Sequence, residues 1–305
     1  MPRVISTIAS ATEIICALGC EEFLVGRSHE CDYPTCISRL PVCSMPKIDV
    51  LADSRSIDLA VKNLVKEGIS IYEIDAALIH ELQPDLIITQ SQCEVCAVSG
   101  NDIVVALRDW SGPRPHVFSV SPNNLSDVWG SILEIAEVLG VEEQGRLLVE
   151  RLSERVSAVA HKLSGAPTVS VCCIEWLEPL MAAGNWIPEL VALAGGREVL
   201  GAVGRHSDWL SWEELLKQDP DYLVLMPCGF NLERATKELS SLLGNPLWHK
   251  LSAVRNEKVF IVDSNYYFTR PGPRLVESVE ILAEIFHPGY CSFGHRDRCW
   301  IKLFH

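Results

Sequence analysis

From residue 124 to residue 163 the sequence carries no proline, and apolar side chains recur at Val128, Ile132, Ile135, Ala136, Leu139, Leu147, Leu148, Leu152, Val156 and Val159. Steps of three and four residues predict one long helix with an apolar stripe, with Gly140 as its one weak point. At about 1.5 Å per residue the rod comes to roughly 57 Å, more than one small domain spans. A strut of that length calls for something to pack at each of its ends.

Both flanks supply an alternation of short apolar runs and amphipathic stretches. Before the strut, runs at 4–9, 24–26, 86–89 and 116–120 read as strands, and stretches at 10–18, 56–67, 75–82 and 101–110 as helices. The quartet Ser10-Ala11-Thr12-Glu13 has the form of a capping box opening the first helix, with Glu13 as a cap. After Gly165-Ala166-Pro167 the alternation restarts, with strands at 168–174, 222–226 and 259–262 and helices at 187–194, 212–217, 233–243 and 274–286. Strands that alternate with helices form mostly parallel sheets covered on both faces. The reading is an α/β chain of two Rossmann-like lobes: an N-terminal lobe over 1–122, a bridging helix over 123–163, a C-terminal lobe over 164–288 and a tail over 289–305.

Composition narrows the function. The formal net charge is −14, which repels phosphate backbones and argues against nucleic acid as a partner. No run of eighteen apolar residues is present, so the chain is not expected to be membrane-embedded. The first residues enter a strand at once without a charged, apolar and small-residue leader, from which a cytoplasmic protein is expected. With no export signal, most of the twelve cysteines are expected as free thiols. The motifs GxSxG, HExxH, GxGxxG and the P-loop are missing. A binding protein without an enzymatic cofactor is therefore expected.

Open parallel sheets bind ligands beyond the carboxyl ends of their strands, and here those ends are decorated. Cys31 and Tyr33 follow the second strand, and Gln92, Cys93 and Cys96 follow the run at 86–89. In the second half Trp176, then Cys228 and Phe230, then Tyr267 and Arg270 follow their strands. Trp186 adds a further aromatic, and Arg205 and His206 fall in a loop at the same expected edge. Aromatics for broad faces and a few polar groups for the rim suit a large, flat, partly polar ligand. The pair Cys93-x-x-Cys96 admits three readings: pocket lining or plain packing, a metal or cluster ligand joined by Cys228, or redox work.

Several motifs then point to a family. Ser6-x-x-Ala9-Ser10-Ala11-Thr12-Glu13-Ile14 with Leu18-Gly19 and Val25-Gly26, Cys31-Asp32-Tyr33-Pro34, Leu82-Gln83-Pro84-Asp85-Leu86-Ile87, Ser211-Trp212-Glu213-Glu214-Leu215 and Asp219-Pro220-Asp221 resemble the cobalamin- and siderophore-binding proteins of ABC importers. Gln92-Cys93-x-x-Cys96, Glu175-Trp176-x-x-Pro179-Leu180, Gly184-x-Trp186-x-Pro188-Glu189, Met226-Pro227-Cys228-Gly229-Phe230 and Arg270-Pro271-Gly272-Pro273-Arg274 look like a signal-less, cobalamin-binding subgroup. The resemblance implies the class III periplasmic-binding-protein fold, with a corrinoid such as cobalamin, or another large metal chelate, held in the cleft between the lobes. It places Tyr33 where the family sets an aromatic on the corrin ring, and Glu213 where the second lobe offers an acid to the importer permease.

Overall fold

In the N-terminal half, strands β1 (Val4–Ser6), β2 (Leu24–Arg27), β5 (Leu86–Gln90) and β6 (His116–Val120) form a parallel sheet in the order β2-β1-β5-β6. A separate antiparallel pair joins β3 (Ser44–Pro46) to β4 (Tyr72–Ile74). These geometries come from a computed structural model that describes residues 1–304 apart from Cys93, Glu94 and Cys96. The apolar runs read as strands are strands because they are buried on both faces: Val4, Ile5, Ile87 and Ile88 are fully enclosed. Helices α1 (Ala9–Ala17), α2 (Ser54–Lys66), α3 (Ala76–Leu82) and α4 (Gly100–Ala106) accompany them. Ile79 and Ile103 pack with Ile5 and Ile87 in one core.

Two helix starts show how local sequence is spent. Asp75 caps α3 by accepting from the Leu78 N–H at 2.9 Å, and Ser99 with Asp102 forms a reciprocal capping box on α4. The quartet at Ser10, expected to cap α1, does not. The helix starts before it with Ile8 as its N-cap, and Ser10 and Glu13 lie buried inside the helix. Thr12 Oγ1 instead donates to Ile8 O and contacts Cys31 Sγ at 2.9 Å.

The proline-free stretch is two helices, α5 (Leu125–Leu139) and α6 (Glu142–Lys162), rather than one rod. Gly140 takes φ +71°, a left-handed conformation that ends a right-handed helix, and the Val141 N–H reaches back to Ala136 O at 2.8 Å. The chain divides into two compact units. The first holds Met1–Ala52, Ser56–Pro122 and Ser126–Glu150, and the division falls inside α6.

The second unit is built on β7 (Val169–Leu177), β8 (Leu180–Ala182), β9 (Gly196–Glu198), β10 (Tyr222–Leu225), β11 (Val259–Val262) and β12 (Trp300–Lys302). Its sheet runs β12-β11-β10-β7-β8, with β9 also beside β7. The long strand β7 shares one edge between two partners: β9 lies parallel to residues 169–171 and β8 antiparallel to its last residues. Its helices are α7 (Ile187–Leu193), α8 (Trp212–Gln218), α9 (Leu232–Lys237), α10 (Ser240–Leu243), α11 (Ser252–Arg255), α12 (Ser264–Tyr267) and α13 (Leu275–Phe286). The expected helix over 233–243 is thus split into α9 and α10. The C-terminal residues belong to this unit: β12 pairs antiparallel with β11, Trp300 opposite Val262. Among the described residues no helix is long and apolar enough to cross a membrane. An α/β fold of parallel sheets with helices between their strands is therefore what the chain adopts.

Candidate functional site

Each sheet has one point where successive strands depart in opposite directions, and loops there splay apart to leave a crevice. In the first unit β2 lies on one side of β1 and β5 on the other. In the second, β9 lies on one side of β7 and β10 on the other. The carboxyl ends of β1 and β5, and of β7 and β10, are therefore the places where the fold presents side chains to a ligand.

The second unit's switch point is the richer one. The Met226 N–H bonds Ile174 O and the Cys228 N–H bonds Glu175 O, both at 2.9 Å, so the loop after β10 stays zipped to β7 beyond the sheet. That zipper sets Trp176 edge-on to Phe230, ring centroids 5.6 Å apart. The Ser264 and Asn265 N–H groups donate to Phe230 O, and Ser264 Oγ donates to Met226 O at 2.9 Å, so α12 is fastened to the same loop. Three guanidiniums stack on these aromatics. Arg234 lies 3.7 Å from the Phe230 centroid, Arg270 lies 5.2 Å from that of Tyr266, and Arg274 lies 5.0 Å from Tyr266 and 5.5 Å from Tyr267. Arg270 also donates to Asn265 Oδ1 at 3.1 Å. A guanidinium over an aromatic ring gains cation–π attraction and still carries N–H donors of the kind that carboxylate and amide oxygens accept from.

Behind this face lies an acidic buttress. Glu175 is half-buried as a residue, but its carboxylate is enclosed, and desolvation raises its pKa above the ordinary range against the pull of Ser207 and His206. Ser207 Oγ donates to it at 2.7 Å and accepts from the Gly184 N–H at 3.0 Å. Gly184 has to be glycine: a Cβ there would sit 2.3 Å from Arg205 O. Glu198 works similarly, its carboxylate accepting from the N–H groups of Cys173, Val199, Leu200 and Gly201.

In the first unit, Arg27 donates to Ser28 O, Cys31 O and Ser38 O and so holds the loop after β2. His29 Nδ1 lies 3.0 Å from Ser44 Oγ, and its ring is 5.6 Å from that of Tyr72. Burial lowers the His29 pKa, partly offset by the Ser44 bond. Tyr33 projects from the same loop, 43% exposed.

The expected site residues separate into groups. Trp176 and Tyr267 are half-buried, Trp176 against Phe230 and Tyr267 under Arg274, with Cys228 half-buried on the zippered loop. Arg205 and His206 are exposed beside Ser207. Gln92 is half-buried and Glu213 is exposed on the first turn of α8. Four expectations need correction: Phe230, 2% exposed, and Arg270, 7% exposed, support the face from within, and two more residues do not line it at all. Trp186 is 6% exposed and its indole donates to Phe268 O at 2.9 Å, so it braces the unit from within instead of forming a wall. Cys31 is fully buried and its sulfur faces Thr12, Ser28 and Ser6 O, so it lines no surface. Cys93 and Cys96 lie outside the described residues. Among the described residues no group of three or more His, Cys, Asp or Glu side chains is placed to hold a metal ion, and a cysteine-rich cleft finds no support. The sequence reading missed Arg234, Tyr266, Arg274 and Ser207. Arg274 was within sight, closing the Arg270-Pro271-Gly272-Pro273-Arg274 motif.

Solved structures share this architecture. A periplasmic heme-binding protein from Pseudomonas aeruginosa aligns over 95% of this chain and 94% of its own, with TM-score 0.69 and 20% identity. The periplasmic vitamin B12-binding protein BtuF of Vibrio cholerae aligns over 93% and 96%, with TM-score 0.64 and 20% identity. In sequence, the uncharacterized ABC transporter substrate-binding lipoprotein YvrC of Bacillus subtilis (strain 168) is 24% identical over 300 residues, covering 94% of this chain and 80% of its own length. A family model described as periplasmic binding protein matches residues 4–266. A periplasmic family and a lipoprotein relative overturn the expectation of a cytoplasmic chain. With more than half its length matched, the chain belongs to the periplasmic binding protein family.

Proposed function

We propose that this chain binds a flat metal-chelating macrocycle of the corrinoid class, cobalamin being the type ligand, and hands it to an ABC importer permease. The observation that carries the reading is the face at the second unit's switch point. There the half-buried Trp176 is locked edge-to-face by the buried Phe230, while the half-buried Arg234 and Arg274 lie over aromatic rings. Aromatic faces bury large area at low entropic cost, and the guanidinium edges match the amides or carboxylates that ring such a macrocycle. Structural likeness to a vitamin B12 binder and a heme binder supports the size class of ligand. The exposed Glu213 on α8 is the proposed permease contact.

Calorimetric titration with cobalamin, cobinamide and haem tests this, on the wild type and on Trp176→Ala. Micromolar or tighter binding of a corrinoid, weakened roughly tenfold or more by the substitution, is the expected result, since one lost aromatic anchor costs about 1.4 kcal/mol or more. Binding of haem alone would move the ligand to the porphyrin class. No heat with any of the three would end the macrocycle reading.

A further inference from the structure

The C-terminal residues that complete the second unit's sheet also assemble a chain of reactive groups against α13. Glu280 and Glu284, one turn apart on α13, are 8% and 5% exposed. Glu280 Oε1 accepts from Arg155 at 2.9 Å, and Glu280 Oε2 lies 3.0 Å from His295 Nε2. A carboxylate with a cationic partner only accepts, so Nε2 carries a proton and Nδ1 is the nitrogen turned to the thiol. Facing Nδ1 at 3.7 Å is the sulfur of Cys299. The Cys299 backbone is pinned on both sides: its N–H donates to His295 O at 2.8 Å and its carbonyl accepts from the Asp263 N–H at 2.8 Å. The Tyr267 phenol, pushed up first by burial and next by its hydrogen bond to Cys299, adds a donor to the same sulfur.

Carboxylate, imidazole and thiol in hydrogen-bonded series are what a nucleophilic sulfur requires: a base within reach and a third group fixing that base. The thiolate, not the thiol, reacts. Elsewhere in the chain burial works against ionisation. Cys16 is pushed up to about 12 and Cys43 to about 11, and Cys172 and Cys173 are raised well above the usual thiol range, in each case chiefly by desolvation. Cys299 is the described cysteine for which the fold also builds a base. It is 2% exposed, which bars bulky reagents and leaves room for small ones.

We propose that Cys299 is a peroxide-reactive thiol, with His295 as its base, Glu280 as the positioning residue for that base, and small uncharged hydroperoxides as its substrate class. His295, protonated at both ring nitrogens, pairs with the Cys299 thiolate, whose sulfur attacks the terminal oxygen of the hydroperoxide. The S–O bond forms as the O–O bond breaks. The departing oxygen takes a proton from the imidazolium and leaves as water or an alcohol. Sulfur is oxidised by two electrons to the sulfenic acid and the peroxide is reduced by two, the oxidant being the peroxide itself.

The test treats the purified native chain with hydrogen peroxide, quenches with catalase at set times and then unfolds the sample in urea containing dimedone, followed by peptide mapping. The exposed Cys36 serves as the unactivated reference thiol in the same sample. Dimedone adduct at Cys299 should form at least about tenfold faster than at Cys36, and His295→Asn should bring the Cys299 rate down to that of Cys36 or below. Because the ratio is read in the wild type, a variant that folds poorly does not spoil the test. Equal or slower labelling of Cys299 than of Cys36 in the native chain would overturn the proposal, as would a Cys299 rate indifferent to His295→Asn in a folded variant.

Discussion

The Trp300 indole N–H donates to the Glu284 carboxylate across 3.0 Å, joining the last strand of the sheet to the last turn of α13. The same carboxylate also accepts from the N–H groups of Phe293, Gly294 and His295. Four donors on one buried acid make it the anchor of the C-terminal segment.

Replacing that anchor should be costly. Glu284→Ala leaves several donors in a buried place without an acceptor, and each such loss costs about 1–3 kcal/mol. A drop of roughly 3 kcal/mol or more in unfolding free energy is expected from urea denaturation followed by tryptophan fluorescence. Burial alone would raise the Glu284 pKa, but the Trp300, Phe293 and Gly294 bonds hold it below the usual carboxylate value. Its contribution is therefore present above the ordinary Glu range and fades as pH falls through the depressed value.

His295 gives the opposite pH signature. Its bonds to Cys299 and Glu280 push its pKa up to about 9 from an ordinary 6.5. The folded state then holds a proton that the unfolded state releases. The stabilisation is full below pH 6.5 and is lost as pH rises toward 9. Urea midpoints across that window should fall with pH in the wild type, and the slope should flatten in His295→Asn. Parallel curves would remove His295 as the source.

Glu175 predicts a gain. Its carboxyl pKa is raised by burial, so ionisation opposes folding above the ordinary Glu range. Glu175→Gln keeps an acceptor for the Ser207 hydroxyl while removing the charge. The variant should melt higher than the wild type at pH 7 to 8, and the difference should vanish near pH 4, where both side chains are neutral. Calorimetric melting at the two pH values measures it; a lower melting temperature at pH 7 would count against the enclosed-charge account.

Two tryptophans should part company. Trp186→Phe removes the bond to Phe268 O from a buried position and should cost about 1–3 kcal/mol of stability with little direct effect on ligand. Trp176→Ala should do the reverse, weakening corrinoid binding roughly tenfold while costing less stability, because Trp176 is only half-buried. Denaturation and titration on both variants decide whether the roles are divided this way.

Strands buried on both faces announce themselves as apolar runs, so β11 is found at its expected bounds, 259–262; β6, at 116–120, is found at its own although His116 and Ser119 are exposed. The capping template failed at Ser10 because a hydroxyl at the right spacing was spent on tertiary partners: Thr12 on Cys31, Ser10 on the helix interior. The strands β8 and β9 escaped because each is three residues long and gains its identity only from β7. The site was legible as a set of strand-end residues, but not which of them face outward. Trp176 and Trp186 look alike in sequence, and only the distant Phe268 carbonyl tells them apart. The tail was opaque for the same reason, since Glu280 and Glu284 look like ordinary polar positions on an apolar helix until His295 and Trp300 arrive.

The place of β12 at the outer edge of its sheet sets a schedule for synthesis. Until residue 302 has cleared the ribosome, the backbone donors and acceptors along the free edge of β11 stay open, and open strand edges recruit other chains. The second half of the protein thus spends its entire translation as a sheet with one unguarded side. A nascent chain stalled just short of Trp300 is the species for which a chaperone would be needed most.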